Sequence, residues 1–283
     1  MGDVDRRDAE FGLEMLDLGA HGDAQFGVSN SGTEDGWIFT ALGGDDTGGI
    51  IWHPSILETA GKYGLYLTND NMLVDTETGA AKPTEAELMR PIDRATVESF
   101  RRYTPEQMRK RVVTAADRQW SDAALLDSCL PGHAGALAPV LGYGMTEDRD
   151  HEIPVTNPHG FSVEFLRLQP GNTVGPFRLA EKQVLIAFQG SFDVTVNDPG
   201  QEVTVWVEGQ DFFSVPADAW RSITAVGHTA VEIAVMLPGN ARKHVTWRPA
   251  LVAAAAEAGR GHDHNGYVAL KRLLPPAPAM AAE

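Results

Sequence analysis

The sequence predicts an all-β fold with a helical connector, and three observations predict it. From Gly171 to Ala225 the chain reads as short runs of alternating apolar residues separated by tight turns, the signature of strands that bury one face. A stretch near the N-terminus repeats part of the C-terminal region at a fixed offset, so one supersecondary unit is used twice. Between the copies lie helix-capping signals at the right spacing.

Composition sets the frame. A chain of 283 residues can bury one sizeable core or two. Lys plus Arg number 23 against 39 Asp plus Glu, a net charge of -16. Such acidity repels phosphate backbones and anionic bilayers, which argues against nucleic acid and against a membrane as partners. Cys129 is the single cysteine, so neither an internal disulfide nor a cysteine-rich zinc site exists, and a cytoplasmic setting fits best. The opening MGDVDRRDAEF is charged and has no apolar core, and no run of 18 apolar residues occurs.

Residues 1–83 form the first part. Gly32–Ala60 lies over Gly227–Ala255 at an offset of 195 without a gap, with identities that include Ile38/Ile233, Trp52/Trp247, Pro54/Pro249 and Ala60/Ala255. Each copy runs from an alternating strand (Val231, Ile233, Val235 in the second) through a Gly turn to Trp-x-Pro. A helix then opens at the proline, where the missing N–H costs nothing. Carried back by the same offset, the β-rich region that starts near His151 would begin before residue 1. Residues 1–60 therefore read as the rear half of a β-domain, whose open edge and apolar face need a cover. Upstream sequence beyond Met1, a rebuilt smaller domain, or strands donated by a partner chain would each supply it. Residues 61–83 read as a hairpin and a loop.

Residues 84–145 read as the helical connector. Thr84 with Glu87, and Thr104-Pro105-Glu106-Gln107, have the capping-box pattern. The span from Arg90 to Arg118 holds eight Lys or Arg against four Asp or Glu, a solvated helix face in preference to an anion site. Leu130–Gly144, rich in Gly, Pro and Ala, reads as a linker. The strand-rich domain with its exit helix follows at 146–258, and 259–283 reads as a tail. Within that tail His262-Asp263-His264 has a metal-ligand look, yet it follows Gly259-Arg260-Gly261 and reads as a solvent-exposed turn.

Two spacings in the strand-rich domain carry a resemblance. Gly171 is followed by five residues, Phe177-Arg178-Leu179, three residues, Gln183, six residues and Gly190; Gly209 is followed by six residues, Pro216-Ala217-Asp218, two residues, Arg221, three residues and Ala225. These resemble the two signature motifs of the cupin superfamily, the second with one extra residue. The resemblance implies a double-stranded β-helix, the cupin jelly-roll barrel, bicupin-like, with a partial first cupin at the N-terminus. It also implies a metal site at Phe177, Leu179, Gln183 and Arg221. Two of these are apolar, one is a weak neutral donor and one is a fixed cation, so no metal cofactor is expected in this barrel. In the first copy Phe26 lies opposite Arg221 and Asn30 falls on the family's asparagine.

What remains is a barrel whose mouth would display Arg178, Gln183, Trp220 and Arg221. On one reading Arg221 and Gln183 anchor a small anionic or sugar-like molecule, with Trp220 beside them and Phe177 and Leu179 as an apolar floor. On the other, Phe177 and Leu179 fill a packed core and Arg221 pairs with an internal acid such as Glu164. Three functions follow: a metal-independent ligand-binding cupin acting as an isomerase, epimerase or sensor; a metal-dependent oxidoreductase whose active first barrel is incomplete in this chain; or a structural module. Cupin strands also imply a homo-oligomer. Fold alone does not choose among them, nor between enzyme and binding protein.

Overall fold

The chain divides into two units, Met1–Arg109 and Lys110–Glu283, and the computed structural model describes residues 16–18, 23–25, 33, 38–41, 52–157 and 159–275. Phe26, Asn30 and most of the Gly32–Ile51 part of the repeat lie outside the described residues.

In the first unit β1 (Leu16–Leu18) pairs antiparallel with β2 (Asp23–Gln25). Helix α1 (Pro54–Lys62) opens at its proline, and the His53 ring accepts a hydrogen bond from the Ser55 N–H at 3.2 Å. It ends at Lys62, the chain turns through Gly64 at a φ of +74°, and β3 (Leu65–Leu67) and β4 (Leu73–Asp75) form the expected hairpin. A 3-10 turn follows at Thr76–Thr78.

The connector is less helical than its capping signals suggest. Glu87 accepts from both the N–H and the hydroxyl of Thr84, each at 2.8 Å. Only a turn forms there, because Leu88 leaves to bridge Thr68 and Met89 donates to the Leu67 carbonyl. The tertiary pairing outcompetes a helix that has no apolar face to bury. Helix α2 (Arg94–Ser99) is capped by Asp93, β5 (Arg101–Arg102) joins β1, and α3 (Pro105–Arg109) follows. Here the capping box forms: Thr104 N–H donates to Gln107 Oε1 at 2.9 Å, and Gln107 N–H donates to Thr104 Oγ1 at 3.3 Å.

The second unit is a closed sandwich of two antiparallel five-stranded sheets. Its strands are β6 (Gly135–Leu141), β7 (Phe161–Leu168), β8 (Thr173–Arg178), β9 (Gln183–Gln189), β10 (Ser191–Val196), β11 (Val203–Glu208), β12 (Phe212–Val215), β13 (Arg221–Val226), β14 (Val231–Pro238) and β15 (Thr246–Trp247). The orders are β11-β10-β13-β8-β15 and β12-β9-β14-β7-β6. Apart from the hairpins β6–β7 and β10–β11, successive strands from β7 to β15 cross from one sheet to the other, which is jelly-roll topology.

Strict alternation along β7 and β13 puts Leu166, Leu168, Ile223 and Ala225 inside. Phe192, Val194, Leu185, Ile233 and Val235 complete the core between the sheets. The linker reading of Leu130–Gly144 is corrected here: Gly135–Leu141 is an edge strand, paired with β7 from Gly135 opposite Leu168. Its small residues allow close approach, and Pro139 is tolerated at a sheet edge.

Helix α4 (Pro249–Glu257) closes the unit, followed by the hairpin of β16 (Arg260–His262) and β17 (Val268–Leu270) and a 3-10 turn at Lys271–Leu273. This module reproduces the first unit's helix, hairpin and 3-10 turn at the same offset of 195, element bound for element bound. The pairs Leu65 with Asp75 and Leu67 with Leu73 correspond to Arg260 with Leu270 and His262 with Val268. The bonds Thr76 N–H to Gly64 O and Lys271 N–H to Gly259 O also correspond, both 2.9 Å. The duplication thus extends well past Ala60, to Thr78, where little sequence identity survives.

Candidate functional site

Gly171 and Ala225, first and last residues of the two motifs, are bonded: Gly171 N–H donates to Ala225 O at 3.0 Å, and Ala225 N–H donates to Asn172 O at 2.9 Å. The motifs therefore close on each other across β8 and β13. Arg221 stands opposite Phe177 in that pair, and Trp247 stands opposite Phe177 on the other side.

Phe177, Leu179 and Gln183 are fully buried and Arg221 is 1% exposed. Arg221 donates from Nη1 to Gln183 Oε1 at 3.1 Å, from Nη2 to the carbonyls of Pro216 (3.2 Å) and Ala219 (3.0 Å), and from Nε to Ala219 O at 3.1 Å. Its guanidinium carbon lies 5.5 Å from the Phe177 ring centre, which in turn is 5.7 Å from Trp247. The structure thus brings Phe177, Gln183 and Arg221 to one place. Leu179 contributes its carbonyl, which accepts the Asp218 N–H at 2.8 Å.

Trp220 stands apart from this group. Its ring is stacked by Arg248 at 4.0 Å and faced by Arg178 at 5.2 Å, and Arg248 pairs with Asp198 at 2.8 Å. Trp220 and Arg178 thus belong to a surface cation–aromatic cluster.

The expected pairing of Arg221 with Glu164 does not form. Glu164 accepts the Met145 N–H on both carboxyl oxygens, at 3.2 and 3.1 Å. Gln183 Nε2 lies 3.8 Å from Met145 Sδ, so one residue separates the glutamine from the acid. Burial pushes the Glu164 carboxyl up to about 8, against the Met145 hydrogen bond and the charge of Lys243, which lower it. A Cβ on Gly144 would lie 2.0 Å from Glu164 Oε2, at a backbone φ of +54°, so this contact requires glycine. Burial lowers Arg221 to about 10, partly offset by the charges of Asp218 and Glu181; the guanidinium is a cation at neutral pH.

Two further buried carboxyls, Glu147 and Asp127, are not singled out by sequence spacing. Glu147 accepts the Leu126 N–H at 2.7 Å and the Trp247 indole N–H at 3.0 Å. His262 Nε2 is 2.9 Å from the same carboxylate, although its geometry is not that of a hydrogen bond. The solvent-turn reading of His262-Asp263-His264 is therefore corrected: His262 sits in β16 facing Glu147, while Asp263 caps the hairpin turn and pairs with Arg149. Asp127 accepts the Gly175 N–H at 2.8 Å and faces His133 at 3.2 Å, and burial raises its carboxyl above the ordinary range. One signal did exist for Glu164, an acid in phase with the buried Leu166 and Leu168 of β7. The TED run around Glu147 offers none.

The donor set does not fit a metal ion. Two hydrocarbon side chains, an amide already bonded to a guanidinium, and the guanidinium itself occupy the motif positions, and a fixed cation repels a divalent one. Among the described residues no group of three or more His, Cys, Asp or Glu is placed to hold a metal. Likewise no helix among them is long and apolar enough to cross a membrane.

No family model and no curated protein matches the sequence. Among solved structures, it is similar to a cupin 2 domain-containing protein from Halorhodospira halophila (16% identity, 44% of this chain and 77% of that one, TM-score 0.31). It is also similar to oxalate decarboxylase from Bacillus subtilis (19% identity, 45% and 28%, TM-score 0.33). A third likeness is to vicilin from Corylus avellana, hazelnut (14% identity, 40% and 32%, TM-score 0.32). The chain thus spans about a third of the vicilin and less of the decarboxylase. On the strand order of its two sheets and the closure of its two motifs, the second unit of this protein has the cupin jelly-roll fold.

Proposed function

We propose that the barrel binds a small carboxylate-class molecule, with Arg221 and Gln183 as its donors and without a metal. One observation carries the reading: Arg221 is a fully buried cation that no carboxylate among the described residues contacts. Buried charges are ordinarily paired with an opposite charge, because neutral acceptors leave much of the desolvation cost uncompensated. A planar carboxylate matches the guanidinium fork and would take the place of the Pro216 and Ala219 carbonyls. Glu164, protonated at neutral pH, adds no opposing negative charge. An isomerase or epimerase would need an acid–base group beside that carboxylate, and for Glu164 to act so the molecule must reach it past Met145.

The test is calorimetric titration and thermal shift of the full chain against a panel of small carboxylic, dicarboxylic and sugar acids. At least one should bind saturably, and Arg221→Gln should weaken it at least about tenfold, the loss of one charge-assisted bond of about 1.5 kcal/mol. If Arg221→Gln fails to fold, Gln183→Met serves instead. Absence of any binder, or affinity unchanged in both variants, overturns the proposal.

A second reading, the scaffold, is favoured by the filling of the same site: Phe177 and Leu179 are 0% exposed and the guanidinium already has four hydrogen bonds. It predicts that Arg221→Met is neutral or stabilising, as for other buried ions replaced by apolar groups, and that no acid on the panel binds.

A further inference from the structure

The two copies of the helix–hairpin module share a backbone but differ in what covers them. In the second copy the covered face consists of Trp247 (5% exposed), Leu251 (7%) and Ala255 (0%), with Val268 packed at its edge. These residues seat the module on the end of the barrel. Trp247 pairs with β8 and gives its indole N–H to the buried Glu147. The Val268 N–H donates to Glu147 O at 2.8 Å. Leu251 and Ala255 join the barrel's own core.

The positions 195 residues earlier are Trp52, Ile56, Ala60 and Leu73. Two are identical and two are aliphatic exchanges, so the chemistry of the face is kept. Its burial is not: Trp52 is 42% exposed, Ile56 49% and Leu73 66%. A hollow of about 640 Å³ lies on this face, lined by Trp52, Ile56, Leu57, Leu65, Leu73 and Met89. Large exposed apolar residues clustered on one face mark an interaction surface. None of the residues of α1 is buried, so no core holds Ile56 in place on this face.

We infer that this face is a docking surface for a second jelly-roll barrel, supplied by another polypeptide. That barrel would carry the seat seen under the second copy: an apolar socket for Ile56 and Ala60, and a buried carboxylate to accept the Trp52 indole N–H. The duplicate module is the evidence for the occupant, because the same face, on the same backbone, is seated on such a barrel in this very chain.

The fit is tested within the full chain by replacing residues 249–273 with the sequence of residues 54–78, an exchange of equal length and register. The backbone bond to Glu147 O and the apolar face are kept, while the His262, Asp263 and Tyr267 side-chain contacts are lost. The chimera should fold and unfold within about 5 °C of the wild type, the shift expected for losing the partly buried His262, Asp263 and Tyr267 contacts. A control chimera carrying Ile56→Asp and Ala60→Asp within the transplanted module should lose cooperative unfolding of the barrel. If both chimeras fail alike, or both survive alike, the face is not a barrel cap and the inference is overturned. Light scattering on the unaltered chain gives the second arm, with a monomer expected. A dimer that Ile56→Asp dissociates would make a second copy of this chain the occupant; since that copy's barrel end is already covered by its own module, this would overturn the inference of a separate barrel.

Discussion

Arg221 shows how one residue converts a site. At the motif position where the resembling family has an imidazole, a guanidinium reaches Gln183 and two carbonyls of the 216–219 loop, and so occupies with fixed charge the place an ion would take. Glu164, on the facing sheet, has the opposite property: its charge depends on pH. With an ordinary value of 4.5 raised to about 8 by burial, the native state holds a proton that the unfolded chain releases between these values. Stability therefore falls as pH rises from about 4.5 to about 8. The raised carboxyl of Asp127 adds in the same direction. Urea denaturation of the wild type at intervals from pH 5 to 8.5 should show this decline, and Glu164→Gln should flatten it. A slope unchanged by the variant would mean that Glu164 ionises normally in the folded protein.

At the scale of elements, the decisive unit is the proline-opened helix with the hairpin that follows it. Its proline and its glycine set where the helix starts and stops, which is why the local structure survives in both copies with few identities. Its contribution to stability depends on what lies underneath. In the second copy the Trp247 indole ties the module to Glu147. Trp247→Phe should lower the barrel's unfolding free energy by about 2 kcal/mol, the range for losing a hydrogen bond to a buried charged group. Chemical denaturation measures it, and a change below about 0.5 kcal/mol would place the module's hold in its apolar face alone. The connector teaches the converse. Thr104 and Thr84 carry the same capping pattern, and in each the backbone N–H donates to the side chain three residues on. Yet only the first completes the reciprocal bond and opens a helix, because Leu88 and Met89 are claimed by the hairpin at Leu67 and Thr68. Similarly, a Gly- and Ala-rich stretch at 135–141 becomes an edge strand because β7 offers it a partner.

For the whole molecule, two units meet in sequence at Arg109–Arg111, three exposed basic residues in a chain of net charge -16. Exposed connecting segments are the preferred places for proteolytic nicking. Limited trypsin digestion should first release a stable fragment that starts at Lys110, Arg111 or Val112 and contains the whole barrel. The next basic site in the chain, Arg118, is shielded: its side chain stacks on Phe165 at 3.5 Å and pairs with Glu232. A stable product starting after Arg118 instead would move the boundary of the second unit into the barrel's outer face.

What the sequence determined by itself is the local grammar: alternating strands, turn glycines, proline-opened helices, and two motif spacings that specify a jelly roll. These are set by short-range sterics and by which face each residue presents, so they are legible one segment at a time. The same residues also showed that Phe177, Leu179, Gln183 and Arg221 do not make a metal site. Only the tertiary structure decided what they make instead. That Arg221 bonds Gln183 and not Glu164, and that Glu147 receives Trp247 and faces His262, depend on residues 38 to 115 positions apart. Burial and charge pairing at such separations are set by the packing of the sheets, which spacing along the chain does not encode.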